Sequence, residues 1–276
     1  MLIDSHCHLQ DPRFDEDRQA VLERARQTGI SALVIVGTDL ESSRRAVDMA
    51  DSMENVYAAI GFHPHNAREM TRRDIDALWH LAHSPKVVAI GEIGLDFYRN
   101  LSPPDTQRKV FLQQLELAKN LSLPVVVHCR QADKETYEIL SVYEEQALPH
   151  WPKDRPLGVM HCFAGDLTLA LRYIQIGFMI SVPGTCTYPK SARICAVAGG
   201  IPLRWMAVET DAPYLPPQSQ RGQRNEPAYL TETVRRIAEL RGEPFEEVTN
   251  STALAVAWLL ALGDIGEAAP TSGKSP

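Results

Sequence analysis

The chain has 276 residues, 44% of them apolar, which is enough for one large α/β domain with a substantial core. No apolar segment approaches the length of a membrane span, and a net charge of −7 argues against a broad basic surface for duplex nucleic acid. The five cysteines are odd in number and show no paired spacing, so we expect a reduced, cytoplasmic protein with no membrane partner.

Eight short apolar segments rich in Val and Ile recur along the chain. They are residues 2–4, 32–36, 56–60, 87–90, 124–127, 157–160, 178–182 and 205–208. Such runs are typical of strands buried on both faces, and the intervals between them have room for crossover helices. The alternation predicts a (β/α)8 TIM barrel of parallel strands, forming a single domain over residues 1–264. Residues 265–276 are rich in small residues and Pro, so we expect a disordered tail there.

Four of the remaining segments show the apolar repeat of a helix. The first covers residues 17–27 and stops before Gly29, and the second begins near Asp105, which we expect to cap it. The third covers residues 232–240. The last covers residues 245–262, and we expect it to lie across the barrel exterior.

Seven histidines and carboxylates come directly after predicted strands. They are His6, His8, His63, Glu92, His128, His161 and Asp211. Since the carboxyl ends of parallel barrel strands meet at one end of the barrel, these side chains would meet although they are far apart in sequence. His6 and His8 share a face because strand side chains alternate, and imidazole suits Zn, Mn, Fe or Ni. Each histidine taken alone fits a structural role equally well, but the matched placement predicts metal ligands.

The carboxylates have distinct predicted roles. Glu92 can bridge two cations at the roughly 3.5–4 Å spacing of two-metal sites. Asp211 is placed to bind a metal and to act as general base toward a bound water, although it could be a turn residue. Glu209 shares its face and would lie deeper, so we expect it to support a ligand from behind. Asp96 fits a similar supporting role or a helix cap equally well.

Four further residues are candidates for substrate contact at the mouth of the barrel. Arg130 follows His128 by two positions and can point at a phosphate, and His63 suits substrate better than metal. Arg221 and Arg224 lie in a loop after the last strand, where barrels present substrate contacts. Surface salt bridges and a solvated loop are the competing interpretations.

Several of these segments together resemble the TatD family of metal-dependent deoxyribonucleases. They are Asp-Ser-His-Cys-His-Leu at 4–9, Gly-Phe-His-Pro-His at 61–65, Gly-Glu-Ile-Gly-Leu-Asp at 91–96, His-Cys-Arg at 128–130, His-Cys-Phe at 161–163, Glu-Thr-Asp-Ala-Pro at 209–213, and the loop 221–227. The resemblance implies a barrel of the amidohydrolase superfamily. It also implies two ligand sets that share one glutamate: His6, His8, Glu92 and Asp211 for one divalent ion, and Glu92, His128 and His161 for the other.

The resemblance further implies hydrolysis of DNA phosphodiesters, from the 3′ end of single strands, with two divalent ions (Mg, Mn or Zn) and no organic cofactor. One alternative is hydrolysis of a small amide or ester, or of a D-aminoacyl-tRNA ester, on the same barrel. Many amide-cleaving relatives bridge their metals with a carbamylated Lys, whereas this chain offers Glu92. A third alternative is a non-catalytic binding protein with a vestigial metal site, which the complete ligand set disfavours.

Overall fold

A computed structural model describes residues 1–262 and contains all eight predicted strands as one parallel sheet in the order β1 to β8. The strands are β1 Leu2–Cys7, β2 Ile30–Val36, β3 Val56–Ile60, β4 Val87–Asp96, β5 Val125–Arg130, β6 Gly158–Met160, β7 Phe178–Val182 and β8 Met206–Val208. The barrel predicted from the apolar pattern is therefore confirmed. The predicted tail, residues 265–276, lies outside the described residues.

Helices form the outer layer of the barrel, except for the last one. Within residues 1–262 they are α1 Arg18–Gln27, α2 Leu40–Ser52, α3 Arg72–Leu81, α4 Pro104–Leu121, α5 Asp133–Ala147, α6 Leu167–Gln175, α7 Ala192–Gly200, α8 Leu230–Arg241 and α9 Phe245–Leu260. The capping prediction for Asp105 is wrong. Pro103 occupies the N-cap position, and Asp105 lies in the first turn, where it pairs with Arg108 at 2.6 Å.

The barrel closes between β8 and β1 through two backbone hydrogen bonds beyond the end of β8. The amide of Asp211 donates to the carbonyl of His6 at 2.9 Å, and the amide of His8 donates to the carbonyl of Ala212 at 2.7 Å. Closure of the sheet itself therefore brings Asp211 beside His6 and His8.

Strands β4 and β5 extend further than their apolar runs indicate. The ladder between them continues through Gly94 opposite His128 and Asp96 opposite Arg130. Glu92 and Asp96 consequently lie within a fully buried strand rather than in a loop. The extension arises because ligand-bearing polar residues alternate with Ile93 and Leu95, which belong to the core.

The barrel has two apolar layers. Residues such as Leu33 and Ile35 pack outward against the helices, whereas Ala32 and Val34 line the interior together with residues of α9. The prediction that the last helix lies across the exterior is wrong. Helix α9 covers the lower opening of the barrel, the one at the amino ends of the strands, and contacts β1 and β8. None of the helices in the described part of the chain is both long and apolar enough to cross a membrane.

Candidate metal centre

The structure brings the seven predicted strand-end residues into one cluster at the carboxyl end of the barrel. Their side chains come from β1, the β3 end, β4, β5, and the ends of β6 and β8. Six are buried, and His128 is the half-buried exception. Four overlapping groups of three ligand atoms each lie close enough to hold a metal ion.

A first group of donor atoms faces the β8–β1 side. The Nε2 atoms of His6 and His8 lie 3.2 Å apart. The Oδ1 atom of Asp211 is 3.4 Å from Nε2 of His8 and 3.9 Å from Nε2 of His6. The Oε2 atom of Glu92 completes the group, at 3.5 Å from Nε2 of His6.

His8 has its tautomer fixed by the barrel wall. Its Nδ1 donates to the carbonyl of Val36 at 2.7 Å, so the neutral ring presents a lone pair at Nε2. That lone pair faces an imidazole nitrogen and the Asp211 carboxylate. Several acceptors directed at one point favour a cation as their common partner.

A second group of donor atoms surrounds the other oxygen of Glu92. Its Oε1 atom lies 2.9 Å from Nδ1 of His128 and 3.5 Å from Nε2 of His161. Nε2 of His63 is 3.4 Å from the same oxygen. His63, predicted to contact substrate, thus lies among the candidate ligands, and it shares a metal-compatible group with Glu92 and His128.

Glu209 lies directly behind this second group. Its Oε2 accepts from Nδ1 of His161 at 3.0 Å and from the Ser181 hydroxyl at 2.7 Å. Its Oε1 accepts from the amide of Cys162 at 2.6 Å. The carboxylate holds His161 with its proton on Nδ1 and leaves Nε2 free to bind a cation.

Asp96 supports the other side of the cluster. Its Oδ2 accepts from Nε2 of His65 at 2.8 Å and from Nε2 of His128 at 3.2 Å, while its Oδ1 accepts from the amides of Tyr98 and Arg99. It does not cap a helix, since α4 begins only at Pro104. His65 was not singled out from sequence, although it repeats the His-x-His spacing of the first strand.

The cluster carries an excess of negative charge. Within residues 1–262, neither Lys nor Arg pairs with Glu92, Asp96, Glu209 or Asp211; only histidines do. Burial favours neutral His161, yet Glu209 and Glu92 outweigh it and raise its pKa to about 10. Burial likewise opposes ionisation of Glu92, but the neighbouring histidines lower its pKa well below the ordinary value. The cluster therefore favours positive charge at its centre.

Comparison with known proteins identifies the family. A family sequence model described as TatD related DNase matches residues 3–260. The chain belongs to the TatD family. Both the resemblance seen in the sequence and the predicted metal-dependent hydrolase are thereby confirmed.

Curated relatives match the chain over most of their length. The chain is 37% identical over 252 residues to YabD of Bacillus subtilis (strain 168), described as an uncharacterized metal-dependent hydrolase, covering 91% of this chain and 96% of that protein. It is 39% identical over 242 residues to the 3′-5′ ssDNA/RNA exonuclease TatD of Rahnella sp. (strain Y9602), covering 86% of this chain and 89% of that protein.

The fold is likewise that of TatD-family structures. The crystal structure of YjjV, a TatD homolog from Escherichia coli K12, superposes with a TM-score of 0.87 at 33% identity, covering 95% of this chain and 98% of that one. A TatD-family hydrolase from Entamoeba histolytica shares the fold with a TM-score of 0.81 at 24% identity, covering 94% of this chain and 97% of that one.

The donor set of this TatD-family site fits a divalent metal. Imidazole nitrogens and carboxylate oxygens are the ligands that such ions take in hydrolases, and the Nδ1 atoms of His8 and His161 are held by acceptors behind them. Nδ1 of His6 has no hydrogen-bond partner in the described structure, so this ring is held through its neighbours instead.

The three arginines predicted to contact substrate differ in their surroundings. Arg224 forms a two-pronged ion pair with Asp17, at 2.8 and 2.6 Å, so the structure does not bring it to the metal cluster. Arg130 lies over the ring of Tyr98, and Arg221 lies over the ring of Tyr188. These two remain the candidates for substrate contact.

Proposed function

We propose that the protein is a 3′-to-5′ exonuclease acting on single-stranded DNA with two divalent ions, Mg, Mn or Zn, at the barrel mouth. The substrate is taken from the relatives that are named as ssDNA/RNA exonucleases. In this chain, His6, His8, Glu92 and Asp211 would hold one ion, and Glu92, His128 and His161 the other.

The observation that carries the proposal is that the two oxygens of Glu92 face different groups of donor atoms. Oε2 lies 3.5 Å from His6 and 3.9 Å from His8, whereas Oε1 lies 2.9 Å from His128 and 3.5 Å from His161. A carboxylate that directs one oxygen into each of two donor groups has the placement of a bridging ligand in a two-metal site.

The ions, when bound, would polarise the phosphoryl oxygens and make a water molecule acidic enough to lose its proton near neutral pH. Asp211 is the residue placed to take that proton. Burial opposes its ionisation, but the adjacent imidazole of His8 and the charges of His161 and His6 lower its pKa, so the carboxylate is ionised and can accept a proton. His63 lies on the opposite side of Glu92 from the first group and would orient the scissile phosphate.

The proposal is tested with single-stranded DNA labelled at either end. Protein stripped by a chelator should be inactive, and added Mn²⁺ or Mg²⁺ should restore release of nucleotides from the 3′ end. Asp211→Ala and Glu92→Ala should abolish turnover while keeping the circular dichroism spectrum and the cooperative melt of the wild type.

Metal content separates the roles of these two residues. Glu92→Gln should lower occupancy at both positions of a two-metal site, and Asp211→Ala at one, as measured by elemental analysis of equilibrated protein. Metal-restored cleavage in either purified mutant would contradict the assignments. A wild-type protein that cleaves mischarged D-aminoacyl-tRNA but no phosphodiester would replace the proposed substrate with an ester.

A further inference from the structure

The rim of the metal site carries three pairs of a tyrosine and an arginine. Arg130 lies 4.0 Å from the ring centre of Tyr98, Arg13 lies 4.3 Å from that of Tyr214, and Arg221 lies 4.8 Å from that of Tyr188. Arg130 is the last residue of β5, and the other five residues lie in the segments that follow the carboxyl ends of strands. The three pairs therefore surround the same opening as the metal cluster.

Two of the three rings are open to solvent. Tyr98 is 55% exposed and Tyr214 is 47% exposed, and both belong to the small set of exposed large apolar or aromatic residues. In each pair the guanidinium lies over the ring, and about half of the tyrosine remains accessible to a planar ligand. An exposed aromatic ring next to a cation is the arrangement on which single-stranded nucleic acids stack their bases.

The two exposed rings lie on opposite sides of the metal cluster. Tyr98 follows β4 and Tyr214 follows β8, and four steps around an eight-stranded ring lead to the opposite wall. The ring of Tyr214 also meets the ring of His8 edge-on, with 5.9 Å between centres. A nucleotide stacked on Tyr214 would thus be adjacent to the first group of metal ligands.

The arginines of the rim differ in how far they are already neutralised. Arg13 pairs with Asp11 at 2.6 Å. Arg130 and Arg221, by contrast, have no carboxylate within ion-pair distance anywhere in residues 1–262. In a chain of net charge −7, two unneutralised guanidinium groups beside the active-site opening are suited to binding phosphate.

We propose that Tyr98 and Tyr214 form a base-stacking track across the mouth, and that Arg130 and Arg221 bind the phosphates of the same single strand. The inference rests on the proposed nuclease function and adds the residues that select unpaired strands. Because a base must leave its duplex to stack on a protein ring, such a track excludes double-stranded DNA without needing a wide basic surface.

The test compares two oligomers on the manganese-loaded enzyme. One is a phosphorothioate-linked oligothymidylate, which resists cleavage, and the other is an abasic oligomer of the same length and linkage. Tyr98→Ala and Tyr214→Ala should each raise the dissociation constant of the oligothymidylate about 5- to 100-fold, measured by fluorescence anisotropy. Binding of the abasic oligomer should change less than twofold.

Matched variants separate stacking from charge and from general damage. Tyr98→Phe and Tyr214→Phe keep the ring and should bind both oligomers as the wild type does. Arg130→Gln and Arg221→Gln should weaken the binding of both oligomers to a similar extent. Trp79→Ala removes an exposed aromatic residue from α3, on the outer wall, and should not change the dissociation constant of either oligomer.

Failure of this inference and failure of the nuclease proposal give different results. The tyrosine variants could bind both oligomers equally weakly, or as well as the wild type, while the protein still trims single strands. That result would overturn the base-stacking track and leave the nuclease proposal standing. Tyrosine-dependent binding of the oligothymidylate in a wild type that cleaves no phosphodiester would support the track and overturn the nuclease.

Discussion

Glu209 is 1% exposed and has no Lys or Arg partner in the described chain, yet donors satisfy both of its oxygens. A buried carboxylate is costly unless it is hydrogen-bonded in this way. These donors, from the end of β6 and from β7, fix the carboxylate so that it orients His161. At the scale of single residues, the ligands are thus only half of the site, and the groups behind them determine which nitrogen faces the metal.

Replacing this carboxylate tests that role. We expect Glu209→Gln to lower metal affinity about 10- to 100-fold, because the amide no longer holds the proton on Nδ1 of His161 as strongly. Isothermal titration with Mn²⁺ measures the affinity. The same experiment in buffers of different ionisation enthalpy should show fewer protons released on binding than in the wild type, since the pKa of His161 no longer reaches about 10.

Ser181→Ala is the matched control, because it removes one donor to the same carboxylate but leaves the charge and the His161 contact. It should change metal affinity much less. Unchanged proton release in Glu209→Gln would show that the carboxylate serves stability alone.

At the scale of elements, the apolar pattern was sufficient to predict the strands and the functional residues at their ends. The parallel barrel then forces His6, Glu92, His161 and Asp211 together, so convergence follows from topology. Contacts that depend on the direction of side chains could not be predicted from the sequence. The hydrogen bond from His65 to Asp96 and the three rim pairs each involve a residue outside the strands, in a segment whose course no periodicity determines. The length of β4 was also missed, because its polar ligands interrupt the apolar run.

The β4–β5 pair contains a position that only glycine can occupy. Gly94 has φ +139°, and a Cβ built there would lie 2.0 Å from the carbonyl oxygen of His128. Gly94→Ala would therefore push β5 away at the residue that contacts both Glu92 and Asp96. We expect a loss of about 3 kcal/mol in stability and most of the metal affinity.

Gly29→Ala provides the comparison, because Gly29 also has a positive φ but has no atom within 4 Å of the added Cβ. It should cost only about 1 kcal/mol, from backbone strain, and leave metal binding intact. Thermal melts and metal titrations of both variants measure the difference. Equal losses in the two variants would mean that the close approach to His128 has no consequence for the site.

At the scale of the whole molecule, stability and chemistry are assigned to opposite ends of the barrel. The metal cluster and the rim pairs occupy the carboxyl end of the strands. The lower opening is covered by α9, whose apolar residues pack with the interior positions of the strands. Arg155, which precedes β6, donates to the carbonyl of Leu259, and the amino group of Met1 donates to Asn250. These contacts attach α9 to the amino ends of the strands.

This separation predicts that a cavity made in the apolar contacts of α9 should lower stability but leave the catalytic rate unchanged. Leu259 is 1% exposed, so Leu259→Ala should cost about 2–5 kcal/mol and lower the melting temperature by roughly 5–15 °C. At temperatures well below that melt, kcat for single-stranded DNA should remain within twofold of the wild type. Leu112→Ala, at a residue of α4 that is 53% exposed, should change neither quantity. A folded Leu259→Ala protein with normal metal content but strongly reduced kcat would show that α9 acts on the site through the barrel interior, where its apolar residues pack with side chains of the strands.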